Sequence, residues 1–347
     1  MMFNLILILS LISVFFYLLI IKYKIYFQNL YPDYNPIQKI HTNYTPPLAG
    51  LVIFVIAYTY YIINLSDSFA MKMYVLIPSL LIITIGVIED IYGKVSASIR
   101  FVFIFISSII FCTLNESLPS LEFWLIGDII NNNTYLKVLF FSICLTALSN
   151  GTNMIDGMNG LCGFTLLSII LSLISIIIIF EISKTYFDIL FPLGVLISVF
   201  LLFNFPFGKI FLGDSGAYWL GWFLGAMILE IFSNNSLNTW WAIVIVFYPS
   251  MEVVFSTIRK VISKKSPFKS DAKHLHIKIF KTLKGPSHRS NNFNSFASLC
   301  LVPFYAVPPF TIMWSEYNPH ISILILLGLV ILYLIYFYLI PDIAKKN

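Results

Sequence analysis

The chain has 347 residues, of which 59% are hydrophobic and 11% are charged, with a formal net charge of +5 and a mean hydropathy of +0.89. A soluble globular domain carries about 25% charged residues, so this chain has too few polar side chains to cover a surface exposed to water. Apolar runs of about 20 residues are typical of membrane-spanning helices. The composition argues against a soluble protein and predicts an all-α, polytopic integral membrane protein.

The first apolar run, residues 5–21, predicts a retained signal-anchor helix. No basic residue precedes it and no small-residue cleavage site follows it, whereas Lys22 and Lys24 come directly after it. Apolar runs predict eleven spans in all, within a single domain over 1–347. They cover about 3–21, 47–63, 73–90, 98–115, 136–149, 162–181, 187–204, 216–232, 240–258, 294–314 and 321–341. The cysteines Cys112, Cys144, Cys162 and Cys300 lie in or beside these runs without metal-ligand spacing, which indicates buried thiols.

The basic residues predict the orientation of these spans. With the N-terminus outside and the C-terminus in the cytoplasm, 18 of the 21 Lys and Arg residues fall on the cytoplasmic side. Ten of them lie in one loop, 259–293, and the outer side keeps only Lys72, Lys137 and Lys184. Cytoplasmic loops carry an excess of Lys and Arg, so the bias fixes this orientation. Four unusual polar clusters then share the cytoplasmic side.

The first polar cluster ends the third span, in "LLIITIGVIED". Glu89 and Asp90 are ionisable groups at the edge of the membrane, where such groups are usually functional or paired. A helix end that simply reaches water remains an alternative. Lys94 and Arg100 follow closely and are placed to engage a lipid phosphate.

The second cluster, "SNGTNMIDGMNGL" at 149–161, holds Asn153, Asp156 and Asn159 at intervals of three. This spacing places the three side chains on one side of a helical or 3₁₀ turn. Convergent acceptor oxygens in a glycine-rich segment suit a hard cation or a sugar nucleotide. The alternative is a hydrophilic loop that caps two helices.

The third cluster, "FLGDSG", places Asp214 just before the eighth span. Asp214 is predicted either as the N-cap of that helix or as a ligand of Mg²⁺, which proteins hold through one or two carboxylates together with substrate phosphates. The sequence leaves both open.

The fourth cluster lies in the basic loop, 259–293, within "SPFKSDAKHLHIKI". Its simplest interpretation is an anchor on anionic lipid headgroups. Lys269, His274 and His276 are also suited to bind a nucleotide diphosphate. Two histidines at i and i+2 do not share a helix face, so a zinc pair is disfavoured.

Taken in this order, these motifs resemble the polyprenyl-phosphate N-acetylhexosamine-1-phosphate transferases, which are related to phospho-N-acetylmuramoyl-pentapeptide transferase. "KIHTNYTPPLAG", "IEDIYGKVSASIR", "NMIDGMNGL", "FLGDSG" and "SPFKSDAKHLHIKI" are similar to the family's consecutive motifs over residues 39–280. Glu89 and Asn159 stand where the family usually has Asp, Pro47 and Ala49 replace Arg and Gly, and Ile277 replaces a His. The "H-x-H" pattern favours the GlcNAc-1-phosphate branch over the muramoyl-pentapeptide branch.

The resemblance implies transfer of a sugar-1-phosphate from a UDP-sugar to a polyprenyl phosphate at the cytoplasmic face of a bacterial plasma membrane, with release of UMP. It implies Mg²⁺, with Mn²⁺ as the alternative, and no nucleic-acid partner; the oligomeric state stays open, a homodimer included. Catalytic roles fall to Glu89, Asp90 and Asp156, and metal binding falls to Asp214 and Asn153. Substrate binding is assigned to Asn159, Lys94, Arg100, Lys269, His274 and His276. A transporter and a structural scaffold are the competing classes, and neither predicts polar clusters at span ends.

Overall fold

The computed structural model describes residues 2–30, 44–115, 117–122, 124–235, 237–268, 273–284, 292–314 and 318–341. Within these ranges all regular structure is helical, with one 3₁₀ turn at Phe69–Met71. The α-helices are α1 Met2–Lys22, α2 Lys24–Leu30, α3 Ala49–Asn64, α4 Met73–Tyr92, α5 Ala97–Leu114, α6 Trp124–Asn131, α7 Thr134–Ile155, α8 Leu161–Ile179, α9 Lys184–Asn204, α10 Gly213–Asn234, α11 Thr239–Ile245, α12 Phe247–Ile262, α13 Leu275–Lys284, α14 Asn292–Leu299, α15 Val302–Tyr305, α16 Val307–Trp314 and α17 Pro319–Leu339.

The prediction of an all-α, multi-pass membrane protein is confirmed. Among the described residues eight helices are long and apolar enough to cross a bilayer, and the bent pair α11–α12 raises the number to nine. The helix at the predicted second span, α3, has only 16 residues. The number of eleven spans and the orientation of the termini stay predictions.

Helix α10 lies at the centre of the bundle. Every residue from Ser215 to Phe232 is buried, and its neighbours include α3, α4, α7 and α8. The outermost helices differ, since α1 exposes Leu7, Leu11 and Phe15 and α17 exposes Leu324 and Leu327. Apolar side chains on the outside of a bundle are what contact with lipid requires, because a bilayer core offers no hydrogen-bond partners.

Glycines allow two pairs of helices, α4 with α10 and α7 with α12, to approach each other closely. A Cβ on Gly86 of α4 would lie 2.3 Å from the Cα of Ser215, and one on Gly151 of α7 would lie 2.1 Å from the carbonyl oxygen of Pro249 in α12. Any larger residue would push these backbones apart. The two contacts fix the end of α4 beside the start of α10 and fix α12 beside the end of α7.

Three predicted spans differ from the observed helices. The fifth, predicted at 136–149, continues as α7 to Ile155, so Asn153 is helical. The ninth, predicted as one helix over 240–258, is broken into α11 and α12 with a bend of 83°. Pro249 lacks the N–H that would continue the α11 hydrogen-bond ladder, which accounts for a break at this point. The tenth, predicted at 294–314, is divided into α14, α15 and α16, and Pro303, Pro308 and Pro309 lie at the starts of the last two.

Candidate active site

Four carboxylates meet at one end of the bundle. Glu89 and Asp90 lie in the last turn of α4, Asp156 directly follows α7, and Asp214 lies in the first turn of α10. The clusters "IED", "NMIDGMNGL" and "FLGDSG" are therefore brought together by three different helices. We call Glu89, Asp90, Asp156 and Asp214 the carboxylate cluster.

Asp90 and Asp156 hold the start of α10. Asp90 accepts hydrogen bonds from the backbone N–H groups of Asp214 (2.8 Å, to Oδ1) and Ser215 (3.0 Å, to Oδ2). Asp156 Oδ2 accepts one from the N–H of Gly213 at 3.1 Å. The first N–H groups of a helix have no partner within the helix, so these two distant carboxylates do the work of an N-cap.

Asp214 is not a helix cap, so that alternative for it is wrong. Helix α10 has no capping hydrogen bond from a side chain of its own first turn, because Asp90 and Asp156 take that place. The Asp214 carboxylate instead forms an ion pair and hydrogen bond with Nη1 of Arg100. Its predicted role as a metal ligand is left as the remaining interpretation.

Arg100, from the first turn of α5, joins two members of the carboxylate cluster. Its Nη1 pairs with Asp214 and also lies 3.2 Å from Glu89 Oε1. The other oxygen of Glu89 accepts the N–H of Val95 at 2.8 Å. The guanidinium carbon of Arg100 lies 5.9 Å from the centre of the Tyr218 ring, within cation–π range. Arg100 thus belongs to the site, whereas Lys94 lies exposed in the turn between α4 and α5.

Asn153 lies on the last turn of α7 and joins the same group. Its side chain lies close to the Asp214 carboxylate and to Tyr218 and interacts with both. The two residues predicted as metal ligands, Asp214 and Asn153, are therefore direct neighbours. Both offer oxygen atoms, which are the ligands that hard divalent cations prefer.

The electrostatics of the carboxylate cluster favour a cation. Within the described part of the site four carboxylates face one guanidinium, that of Arg100. Burial raises the pKa of Asp156 well above its usual range, and the nearby Asp90 and Asp214 carboxylates raise it further, against the opposing effect of the Gly213 N–H. An added positive charge would relieve this repulsion.

The donor set fits Mg²⁺ held jointly with a substrate. Across the described residues no group of three or more His, Cys, Asp or Glu side chains is arranged to hold a metal alone. Mg²⁺ does not require such a group, since proteins commonly bind it through one or two carboxylates, and water and substrate phosphates complete its coordination shell. Asp214 and Asn153 are the residues that would hold it.

Asn159 lies apart from the carboxylate cluster. It is 3% exposed, and its Nδ2 donates to the carbonyl oxygen of Pro206 at 2.6 Å and to Ser295 Oγ at 3.2 Å. Its backbone N–H donates to Asn294 Oδ1 at 2.8 Å. In the structure Asn159 therefore ties the turn after α9 to helix α14, and its predicted substrate contact stays a prediction.

The start of the basic loop lies against α5. The ring of Phe268 meets that of Phe101 edge-on, with centroids 5.5 Å apart, and Phe101 directly follows Arg100. The Lys260 ammonium donates to the carbonyl oxygen of Pro267 at 3.0 Å. The "SPF" segment is thereby held against α5, the helix that carries Arg100. Lys269 lies outside the described residues.

The two predicted histidines form a second cluster, around Glu252 of α12. Nδ1 of His274 lies 3.0 Å from Glu252 Oε2, and Nδ1 of His276 lies 3.6 Å from Oε1. The two imidazole rings stack with centroids 5.5 Å apart. His274 precedes α13 and does not belong to it, so the i, i+2 spacing does not separate the rings as it would on a helix. Burial lowers the pKa of His276, whereas the Glu252 carboxylate acts in the opposite direction.

Sequence reasoning missed two residues of these clusters, Glu252 and Tyr218. A signal existed for Glu252, which is an acidic residue inside an otherwise apolar predicted span, and such residues are usually paired or functional. Tyr218 carried no such signal, because tyrosine is common in this chain and its place beside Arg100 depends on how α5 and α10 pack.

Comparison with known proteins shows which enzymes the chain resembles. The model of glycosyl transferase family 4 matches residues 72–232, which contain all four members of the carboxylate cluster. An undecaprenyl-phosphate alpha-N-acetylglucosaminyl 1-phosphate transferase of Thermotoga maritima is 27% identical over 69% of this chain and 69% of its own length.

Two further relatives represent other enzymes of the group. A decaprenyl-phosphate N-acetylglucosaminephosphotransferase of Mycobacterium leprae is 25% identical over 72% of this chain and 69% of its own length. A phospho-N-acetylmuramoyl-pentapeptide-transferase of Dictyoglomus thermophilum is 25% identical over 62% of this chain and 71% of its own length. The matched region, these relatives and the meeting of the predicted motifs at one end of the bundle together indicate a membrane-embedded sugar-1-phosphate transferase that is similar to glycosyl transferase family 4.

Proposed function

We propose that the protein transfers an N-acetylhexosamine-1-phosphate from a UDP-sugar to a polyprenyl phosphate and thereby initiates a cell-surface glycan. The observation that carries this proposal is the carboxylate cluster at the start of α10, with Arg100 and Asn153 in contact with Asp214. Such a site combines oxygen ligands for a cation with a guanidinium, which suits a reaction between two phosphate groups.

In this reaction the acceptor phosphate oxygen attacks the sugar-bound phosphorus of the donor. A new P–O–P bond forms, and the bond from that phosphorus to the oxygen bridging to the uridine-bound phosphate breaks. UMP leaves with the bridging oxygen and its bonding electron pair, and the products are UMP and a polyprenyl-diphosphate sugar. The second pKa of a phosphate monoester is about 6, so the acceptor is mostly ionised at neutral pH and needs little help from a general base.

Different residues of the site would bind the metal, bind phosphate and fix the orientation of these groups. Asp214 and Asn153 would hold Mg²⁺, which when bound neutralises diphosphate charge and stabilises the transition state. Arg100 offers a guanidinium whose fork geometry matches phosphate oxygens. Glu89 fixes the direction of that guanidinium through the 3.2 Å contact. Asp90 and Asp156 keep the first turn of α10 in place and so define where Asp214 points.

The site is proposed to lie at the cytoplasmic face of a bacterial plasma membrane, because the donor is soluble in cytosol while the acceptor dissolves only in the bilayer. The excess of basic residues on one side supports this orientation. Single cysteines introduced at Ser266 and Asn235, both exposed, in a background without the four native cysteines should label from opposite sides of the membrane. Labelling from one side would refute the topology.

The donor specificity separates two members of the family. The relative from Dictyoglomus thermophilum is named for a muramoyl-pentapeptide substrate, and the "H-x-H" pattern favours a simple N-acetylhexosamine. UMP release by the purified protein should be measured with undecaprenyl phosphate and either UDP-GlcNAc, UDP-GalNAc or UDP-MurNAc-pentapeptide. We expect turnover with an N-acetylhexosamine donor; turnover restricted to the pentapeptide donor would establish the second function.

A further inference from the structure

Glu252 is a buried carboxylate on α12. It is 1% exposed and lies on α12, one turn after Tyr248, whose O–H donates to Glu252 Oε1 at 3.1 Å. The backbone N–H of Leu275, at the start of α13, donates to the same oxygen at 3.2 Å. A buried carboxylate is costly unless hydrogen bonds or positive charge compensate it, and here the remaining compensation comes from the two imidazoles.

Both histidines turn the same ring nitrogen toward this carboxylate. His274 Nδ1 lies at hydrogen-bond distance, 3.0 Å, and His276 Nδ1 lies at 3.6 Å, an electrostatic contact longer than a hydrogen bond. A carboxylate next to Nδ1 holds the proton on that nitrogen, and therefore directs the lone pair, or a second proton, to Nε2. Glu252 thus sets the tautomer of His274 by a hydrogen bond, and it faces the Nδ1 atom of His276 across a longer electrostatic contact.

Glu252 is also fixed relative to the carboxylate cluster. Pro249, three residues earlier on α12, packs against Gly151 of α7 so closely that a Cβ there would lie 2.1 Å from its carbonyl oxygen. Asn153 follows two residues later on α7. At the other end of α12, the Lys260–Pro267 hydrogen bond and the Phe268–Phe101 contact hold the loop beside Arg100. Helix α12, which carries Glu252, is therefore attached at both ends to elements of the candidate active site.

We infer that Glu252 is a positioning residue for the transfer reaction: it holds His274 and His276 through their Nδ1 atoms, so that their Nε2 atoms serve the anionic donor. This inference rests on the proposed function. A lone imidazole can rotate about its side-chain bonds and exchange tautomers. An imidazole whose Nδ1 faces a fixed, buried carboxylate keeps one ring orientation. The Nε2 atom of an imidazole that keeps its Nδ1 proton beside Glu252 can accept a hydrogen bond from a hydroxyl or N–H group of the donor, and it can donate one to a phosphate oxygen when it takes up a second proton.

Four variants test the inference in the full-length protein, by UMP release with varied UDP-sugar. Glu252→Gln keeps the size of the side chain and an acceptor for Leu275 and Tyr248 but removes the charge. His274→Asn keeps an amide N–H near the place of Nδ1, and thus the contact with Glu252, but removes Nε2. The third variant combines both substitutions. Glu230→Gln is the matched control, since Glu230 is another buried, hydrogen-bonded carboxylate, located near the opposite end of α10.

We expect Glu252→Gln and His274→Asn each to lower kcat/KM for the donor at least tenfold. The double variant should be no worse than the poorer single variant by more than about twofold, because residues that act as one unit are not additive. Glu230→Gln should stay within about twofold of the wild type. If Glu252→Gln fails to fold, His274→Asn still tests the inference, because it preserves the contact with Glu252.

Two results would overturn the inference while leaving the proposed function intact: a His274→Asn variant within twofold of the wild type, or a double variant whose loss equals the product of the two single losses. A purely structural Glu252 would give the second result, since its loss would then act independently of the loss of His274 Nε2. A wild-type protein that releases no UMP from any of the donors would instead contradict the proposed function, and the inference would fall with it.

Discussion

The substitution Asp214→Asn distinguishes a metal-binding role of Asp214 from a structural role, because it removes one negative charge and keeps the size of the side chain. In the structure the Asp214 side chain caps nothing, because Asp90 and Asp156 accept the first N–H groups of α10. Asparagine retains one oxygen in place and the approximate size of the side chain. The exchange removes one negative charge from the carboxylate cluster and weakens the pair with Arg100.

The expected change in stability is small and the expected change in rate is large. The Asp214 and Arg100 side chains are 20% and 18% exposed, and such a partly exposed ion pair contributes about 1 kcal/mol; relief of repulsion from the other carboxylates opposes this loss. Removal of a charged Mg²⁺ ligand weakens the contact between metal and diphosphate in the transition state. A hundredfold fall in kcat corresponds to about 2.7 kcal/mol, and we expect at least that.

The assay is UMP release by Asp214→Asn across a Mg²⁺ titration, together with thermal unfolding of the same sample. Glu230→Gln is the control, because it removes the charge of a buried carboxylate on the same helix about 24 Å from Asp214, at 1.5 Å per residue. We expect near-normal unfolding and a hundredfold lower rate for Asp214→Asn, partly restored at high Mg²⁺. Near-normal turnover at ordinary Mg²⁺ would refute the metal role.

Substitutions at three further positions test other parts of the site. Glu89→Asp should keep substantial activity and Glu89→Gln should lose most of it, because the charge orients Arg100; equal kcat/KM for Gln and Glu would remove this side chain from the chemistry. Asn159→Asp should destabilise the protein by about 1–3 kcal/mol in thermal unfolding, since a carboxylate cannot donate to the Pro206 carbonyl, and an unchanged unfolding temperature would contradict this. The raised pKa of Asp156 means that its protonated form favours the folded state, so wild-type stability falls as the pH rises above about 4 toward that raised pKa. Asp156→Asn without divalent cations should therefore gain stability relative to the wild type between about pH 5 and pH 8, and a difference independent of pH would show that Asp156 does not titrate in this way.

The sequence was sufficient to predict which helix ends carry the residues of the candidate active site. Glu89 and Asp90 were selected because ionisable groups at the edge of the membrane are usually functional or paired. Asp156 was selected by its spacing in a glycine-rich segment and Asp214 by its place before a span, and the structure brings all four together. Charge and hydropathy report such placements well, because both depend on residue type and position along the chain. The all-α, multi-pass architecture follows from the same property.

Contacts between helices that are distant along the chain could not be predicted from the sequence. Nothing local indicates that Asp90 would take over capping of α10 from Asp214, because the contact depends on Gly86 bringing α4 against Ser215. Asn159 shares the spacing of Asn153 and Asp156, yet the helix ends at Ile155 and the chain turns it toward Pro206. The sequence marks Glu252 as an acidic residue in an apolar span, but it does not indicate its partners, since two histidines 22 and 24 residues later leave no periodic pattern.

The most direct test of the proposed reaction follows the phosphorus atom next to the sugar. Purified protein is incubated with undecaprenyl phosphate, Mg²⁺ and UDP-GlcNAc labelled at the sugar-bound phosphate. If the sugar moves together with that phosphate, the label enters the lipid fraction and unlabelled UMP appears in equal amount. Label that stays in the water-soluble fraction as UDP, while the sugar moves to lipid, or label that does not move at all with this donor or with UDP-GalNAc, would contradict sugar-1-phosphate transfer.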